Sequence, residues 1–244
     1  KIGNVWYYLE PGNGGMATGW RKIGSTWYYL NPGNGDMATG WTTIGGTRYY
    51  MNQDGAMVEG WSQQNGTWYY LKPGSGNIAT GWLKLGATWY YLASDGKMLT
   101  GFQNIGGSKY YLNTGSGAMA VGWLQLGSDW YYMNGSGAML TGWQKIGSTW
   151  YYLNESGTML ADTWIGNNYV DGSGAWIPGK VKAQPGWIQS GNRWWYRHAD
   201  GGYTMNGWEM INGTWYYFDG SGWMVTGWKQ VNGSWYYMDA SGAM

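Results

Sequence analysis

Short aromatic blocks alternate with short polar, glycine-rich blocks along this chain, and the same pattern returns at a near-constant interval from one end to nearly the other. One complete beat is Gly19-Trp20-Arg21-Lys22-Ile23-Gly24-Ser25-Thr26-Trp27-Tyr28-Tyr29-Leu30, followed by the polar stretch Asn31–Asp36 and then Met37-Ala38-Thr39. The leading aromatic recurs at Trp20, Trp41, Trp61, Trp82, Phe102, Trp123, Trp143, Trp164, Trp187, Trp208 and Trp228. Two runs rich in aromatic and β-branched residues flank a two-residue Gly-Ser or Asn-Gly step, which predicts a β-hairpin with a tight turn. No segment carries the 3.6-residue apolar period of a helix. A lone hairpin is marginal in water, so a fixed repeat of hairpins predicts stacking of each on its neighbours. The expected fold is all-β: a β-solenoid, or superhelix, of stacked hairpin repeats of about 20 residues with no significant helix.

From Trp20 to Trp164 the interval between leading aromatics is alternately longer and shorter by one. The extra residue falls in the loop before the Met, since the step from Trp27 to Met37 is one longer than the step from Arg48 to Met57. Hairpins are therefore expected in two slightly different settings. Along a strand successive side chains point to opposite faces. With a turn at Gly24-Ser25, Trp20 and Trp27 share one face with Tyr29, while Tyr28 takes the other. Each junction between consecutive hairpins is then walled by two Trp from the first and one Tyr from the next, as in Trp20, Trp27 and Tyr49.

Composition bounds what such junctions can be. The 244 residues include 46 Gly, 22 Trp and 23 Tyr but only 2 Phe and no Cys. The core is thus expected from residues with apolar bodies and polar tips, with Tyr29-type and Leu30-type positions inside. Charged residues are 11% of the chain, scattered singly, for a net charge of +1. No basic stripe exists to neutralise phosphates, which argues against nucleic-acid binding. No run of 18 apolar residues appears, so no membrane span is expected. There is no Cys nucleophile, no metal-ligand cluster and no phosphate loop with its Lys, and no pair of acids stands out as a glycosidase couple. His198, the one histidine, falls in a loop and is expected to be solvated. No cofactor and no metal is expected.

An open box of three electron-rich rings with little charge suits a quaternary ammonium held by cation–π attraction. A sugar stacked on the same rings, or a spacer whose Trp residues are simply core, are the alternatives the residues leave open.

The pattern of Gly-Trp, a second Gly, Trp-Tyr-Tyr-Leu, a Gly and a Met resembles the choline-binding (cell-wall-binding) repeats of Gram-positive surface proteins and cell-wall hydrolases. It runs through about eleven copies. The resemblance implies about three hairpins per superhelical turn and choline held between consecutive repeats, often with a Met nearby. It also implies a non-catalytic module that anchors its parent to choline-decorated teichoic and lipoteichoic acids. The parent would be a secreted surface protein or lytic enzyme in the wall of a Gram-positive bacterium, with an attached catalytic domain or a dimer through a terminal hairpin as further partners. Similar aromatic repeats in the glucan-binding regions of glucosyltransferases and in toxins make carbohydrate the rival ligand. Carried onto this chain, the family's cage falls on Trp20/Trp27/Tyr49, Trp61/Trp68/Tyr90, Trp82/Trp89/Tyr110, Trp123/Trp130/Tyr151, Trp187/Trp194/Tyr216 and Trp208/Trp215/Tyr236.

The departures are as informative as the matches. Arg48 replaces the second Trp of the Trp41 repeat and Lys109 that of the Phe102 repeat. A fixed cation repels a cationic ligand, so these junctions are expected to be structural. Trp143/Trp150 is expected to lack a third wall, because the next repeat shrinks to Asn168-Tyr169-Val170. Trp6 has no Gly-Trp partner, and Trp228/Trp235 has no successor in this chain. The chain is accordingly divided into regular repeats at 1–160, an irregular truncated repeat and loop at 161–186, and further repeats at 187–244. The irregular stretch is expected to be a kink, with a contact surface for another domain as the alternative. With no leader sequence and both ends in mid-repeat, the chain reads as a fragment or processed module.

Overall fold

The computed structural model describes residues 1–244. It contains ten two-stranded antiparallel sheets, one three-stranded sheet and no helix. The ten are hairpins of two five-residue strands, such as Gly19–Ile23 with Thr26–Leu30. Register follows the expected face: Trp20 pairs with Tyr29 and Lys22 with Trp27, so both Trp stand on one side. The turns obey their chemistry. In Gly45-Gly46, Asn65-Gly66 and Asn212-Gly213 both residues have positive φ, the type I′ geometry that matches strand twist. In Gly24-Ser25 only the Gly does, as a type II′ turn requires.

The two loop settings exist. In the longer loop the Gly35 amide donates to the Asn31 carbonyl, four positions back, whereas in the shorter loop the Gly55 amide donates to Asn52, three back. In the interval ending at Trp164 the extra residue sits elsewhere than expected. Its loop is short, with Gly157 donating to Asn154. The additional residue comes after Met159, where Asp162 takes φ +48° and its amide donates to the Asp171 carbonyl at 2.8 Å. An Asp tolerates this left-handed conformation, and regular copies place a Gly of positive φ at this approach to the strand, for example Gly40 and Gly60.

The chain forms two compact units, Lys1–Gly142 with Leu153–Met159, and Trp143–Tyr152 with Leu160–Met244. In the first, consecutive hairpins stack into a solenoid held by a backbone ladder that skips along the sequence. The Met57 amide donates to the Trp27 carbonyl at 2.8 Å, Ile78 to Arg48 at 2.9 Å, Met98 to Trp68 at 2.8 Å and Met119 to Trp89 at 2.8 Å. Each rung ties the second aromatic position of one hairpin to the segment that leaves the next. The core is a column of single residues at the ends of the second strands. Leu30, Met51, Leu71, Leu92, Leu112, Met133 and Leu153 are each 0–2% exposed. Burying one such side chain is worth about 1.5–3 kcal/mol, so the column supplies a recurring increment per repeat. Tyr29-type residues support it from beside: Tyr70 and Tyr111 are buried, while Tyr29 itself is half-buried.

The second unit repeats the scheme with Val170, Phe218 and Met238 buried at the same position, and Tyr217 buried beside Phe218. Arg197 occupies that position in the hairpin Gly186–Ser190/Arg193–Arg197, and its Nε donates to the Gln184 carbonyl at 2.8 Å. The truncated copy is a three-stranded sheet. Trp164 pairs with Tyr169, and the short strand Trp176–Ile177 adds to the other edge, with Val170 opposite Trp176.

Candidate functional site: aromatic cages between hairpins

Alternation and stacking bring the expected rings together. The Trp20 ring centroid lies 6.2 Å from Trp27 at 87° and 5.0 Å from Tyr49 of the following hairpin. Trp61 lies 6.3 Å from Trp68 and 4.9 Å from Tyr90, and Trp82 lies 6.2 Å from Trp89 and 4.9 Å from Tyr110. In the second unit Trp187 stands 4.7 Å from Tyr216, and Trp208 stands 5.0 Å from Tyr236. Trp123 and Trp130 meet at 6.1 Å and 85° in the first unit, while Tyr151 belongs to the second. The near-perpendicular Trp pair leaves a concave corner rather than a stack, and the next Tyr closes one side of it.

Three of these corners are measurable hollows. Trp20, Trp27 and Tyr49 line about 250 Å³, Trp82, Trp89 and Tyr110 about 270 Å³, and Trp187, Trp194 and Tyr216 about 390 Å³. The walls beyond the three rings follow one rule. Each hollow adds a Met (Met57, Met119, Met224) and two small loop residues, namely Gly74-Ser75, Gly135-Ser136 or Ala240-Ser241. The resemblance implies a Met nearby; its identity is set by the backbone rung, because each Met is the residue whose amide reaches the second Trp. The legible signal is a constant offset, with Met57, Met119 and Met224 following Trp27, Trp89 and Trp194 at the same sequence separation. The loop serines left no signal in the sequence.

These serines spend their hydroxyls inside the loops. Ser136 Oγ donates to Asn134 Oδ1 at 2.7 Å and Ser241 Oγ to Asp239 Oδ1 at 2.6 Å, and Ser75 bonds Asn77. Ser241 and the backbone amides around it hold the Asp239 carboxyl below its ordinary range. The cages therefore face their contents with rings, a thioether and carbon, a surface suited to a trimethylated cation.

In the Trp20 cage the two Trp are packed differently. Trp27, Trp68, Trp89, Trp130, Trp150, Trp194 and Trp215 are all 37–40% exposed. Trp20, by contrast, also packs on Tyr29 at 5.2 Å. In this cage the first ring thus packs within its own hairpin and at the junction, whereas the second meets the first edge-on and lines the hollow.

Where the repeat departs from its pattern, the protein supplies its own cation. Trp41 and Tyr69 meet at 4.7 Å as in a cage, but the Arg48 guanidinium lies 4.0 Å from the Trp41 centroid and donates from Nη1 to the Asp95 carbonyl at 3.1 Å. Lys109 Nζ lies 4.7 Å from Phe102 in the same way. Thus the expected structural junctions do more than repel a ligand: their own side chain sits over the first ring. Lys22 and Lys84 stand farther off, 5.8 Å and 5.6 Å from Trp27 and Trp89, and those two cages remain hollow. In the truncated copy Lys182 lies 5.4 Å from Trp164 and Lys180 lies 3.1 Å over Tyr169.

Two expectations need correction. The Trp143/Trp150 junction does not lack a further wall, because Trp176 and Asn168 line a hollow of about 360 Å³ with it. His198 is not merely solvated: its Nε2 lies 3.0 Å from Glu209 Oε1, both side chains being partly buried. Trp228 and Trp235 are 67% and 62% exposed, and Trp6 lines a separate hollow with Tyr7, Tyr8 and Tyr28.

The choline-binding repeat profile matches residues 1–39, 38–80, 79–122, 120–164 and 205–244. Most of the truncated copy and the hairpin after it, residues 165–204, stand outside it. The chain is 28% identical to the modular autolysin LytC of Streptococcus pneumoniae over 91% of its own length, with a TM-score of 0.56, and spans 52% of that protein. It is 28% identical to the choline-binding domain of CbpL from the same organism, covering 88% of this chain and 99% of that one at a TM-score of 0.50. No curated protein matches it. With most of its length matched and its hairpins and ring junctions in place, this chain belongs to the family of choline-binding repeat proteins.

Proposed function

We propose that the cages at Trp20/Trp27/Tyr49, Trp61/Trp68/Tyr90, Trp82/Trp89/Tyr110, Trp187/Trp194/Tyr216 and Trp208/Trp215/Tyr236, together with the Trp123/Trp130 corner, hold the choline groups of teichoic and lipoteichoic acids. The module thereby anchors a secreted surface protein or lytic enzyme to the wall of a Gram-positive bacterium, and any hydrolytic step of that parent is carried by another domain. The observation that supports this is the recurring hollow of two Trp, one Tyr and a Met whose nearby hydroxyls are already bonded within their loops. A sugar needs donors and acceptors beside the ring platform, and these walls offer few.

Each ring contributes about 0.5–2 kcal/mol to a bound cation, which places a single cage in the millimolar range. Polymer binding then depends on engaging several cages at once, where avidity raises affinity by about 10²–10⁴. The test is retention on a quaternary-amine resin followed by elution with free choline. Failure to bind, or release by a glucan in place of choline, would overturn the reading.

A further inference from the structure

We infer that the junction Trp143/Trp150/Trp176 is an additional quaternary-ammonium site, rebuilt by two compensating replacements in the truncated copy. This inference rests on the choline reading of the regular cages. In those cages the third ring is the first Tyr of the following second strand, and a Met follows the loop after that strand. Counting back from the buried strand end, Val170 stands where Leu153 does, Tyr169 pairs with Trp164 as Tyr29 pairs with Trp20, and Asn168 takes the place of the cage Tyr. Counting forward, Trp176 bridges to Val170 as Met37 bridges to Leu30, so Trp176 takes the place of the cage Met. The ring lost at one wall is returned at the other.

The outcome is a hollow of about 360 Å³ lined by Trp143, Trp150, Trp176 and Asn168. Three indoles are the strongest ring set for a cation, since Trp is the best of the aromatic partners. Trp150 keeps the 39% exposure of a ligand-facing second Trp. No lysine or arginine lies over Trp143, Trp150 or Trp176, unlike Trp41, Phe102 and Trp164, which each carry one. Asn168 is exposed and places a neutral amide at the rim, where a choline hydroxyl has a hydrogen-bonding partner. Trp176 lies in the stretch 165–204 that the repeat profile leaves unmatched, which is why a reading of repeat positions passes over it.

The test labels the full chain with fluorotryptophan and assigns the Trp27, Trp150 and Trp176 resonances by single Trp→Phe variants. Choline is then titrated against its neutral isostere 3,3-dimethylbutanol. The inference expects Trp176 and Trp150 to shift saturably with choline alongside Trp27, and to respond far less to the alcohol. Trp176→Met, which restores the residue of a regular copy without its Tyr, should weaken the Trp150 response about ten-fold while Trp27 is unchanged. A moving Trp27 with a silent Trp176 overturns this site and leaves the regular cages standing. Silence at all three resonances overturns the choline reading itself. Equal shifts with choline and the alcohol at Trp150 and Trp176 overturn the assignment of a cation.

Discussion

Removing the two Trp of one cage should have different consequences, because they carry different shares of the fold. Trp27 is 37% exposed, and the hydrogen bond its residue makes to Met57 is through the backbone carbonyl, which an Ala keeps. Its ring meets Trp20 edge-on, lies 5.8 Å from Lys22 and is partly buried, so Trp27→Ala should cost about 1 kcal/mol of ligand-free stability. Trp20 packs on Tyr29 at 5.2 Å and on Tyr49 of the next hairpin at 5.0 Å. Trp20→Ala therefore opens both the hairpin and its stacking contact, at a cost of about 3 kcal/mol. Choline reverses the emphasis. At a concentration ten times the dissociation constant, each occupied cage adds RT ln 11, about 1.4 kcal/mol. Trp27→Ala should remove that increment and one bound choline while lowering the ligand-free melt by only about a third as much as Trp20→Ala does. The assay is thermal unfolding with and without choline, paired with equilibrium dialysis for stoichiometry. If Trp27→Ala lowered the ligand-free melt as far as Trp20→Ala, or left the stoichiometry whole, the assignment of the second Trp to the ligand would be refuted.

Replacing the internal cation by the residue of the regular repeat, Arg48→Trp, should open the Trp41/Tyr69 junction and raise the number of bound cholines by one in dialysis; an unchanged number would count against internal occupancy. Gly55 takes φ +76° with Met37 Sδ where a Cβ would stand, whereas Gly60 has φ +78° and open space around it. Gly55→Ala should thus destabilise by about 2 kcal/mol more than Gly60→Ala, measured as the difference in urea midpoints, and equal midpoints would refute the Met–Gly packing. Asp239 and Asp171 are held below their ordinary pKa of 3.8 by the hydroxyls of Ser241 and Ser173, and Asp95 by Lys97. A depressed carboxyl stabilises above its unfolded pKa and loses that contribution as pH falls through the folded value. The melting temperature should accordingly respond to acid below the ordinary value of 3.8, and Asp239→Asn should reduce that response; an identical acid response in the variant would contradict it.

Most of the hairpin could be read from local rules. Trp20, Lys22, Trp27 and Tyr29 share a face because strand side chains alternate and the Gly24-Ser25 turn leaves no freedom in register. The inward position of Leu30 and the Trp–Trp–Tyr corner at Tyr49 follow from the same periodicity, as does the disruption at Arg48 and Lys109. Local rules do not say where a polar side chain ends. Arg48 could have pointed to solvent; stacking and the Asp95 carbonyl bring its guanidinium over Trp41. His198 occupies a loop, yet the neighbouring hairpin brings Glu209 to it. Spacing alone does not locate the extra residue before Trp164, because an interval records how many residues intervene and not which of them leaves the strand.

Local sequence suffices for the repeating unit: one hairpin, its turn, its faces and the need to stack. Those properties are set by bonds and sterics over a short span of chain. Tertiary packing settles what completes each junction. The Met of a cage lies beyond the hairpin that follows its second Trp, and a backbone rung spans that hairpin to bring it back. Loop serines close the hollow from a further repeat, and Trp176 replaces a missing ring from a third strand that the pattern did not announce. Walls that come from separate repeats meet only after stacking has chosen their neighbours, so local periodicity names the three rings and packing supplies the Met, the loop and the replacement ring.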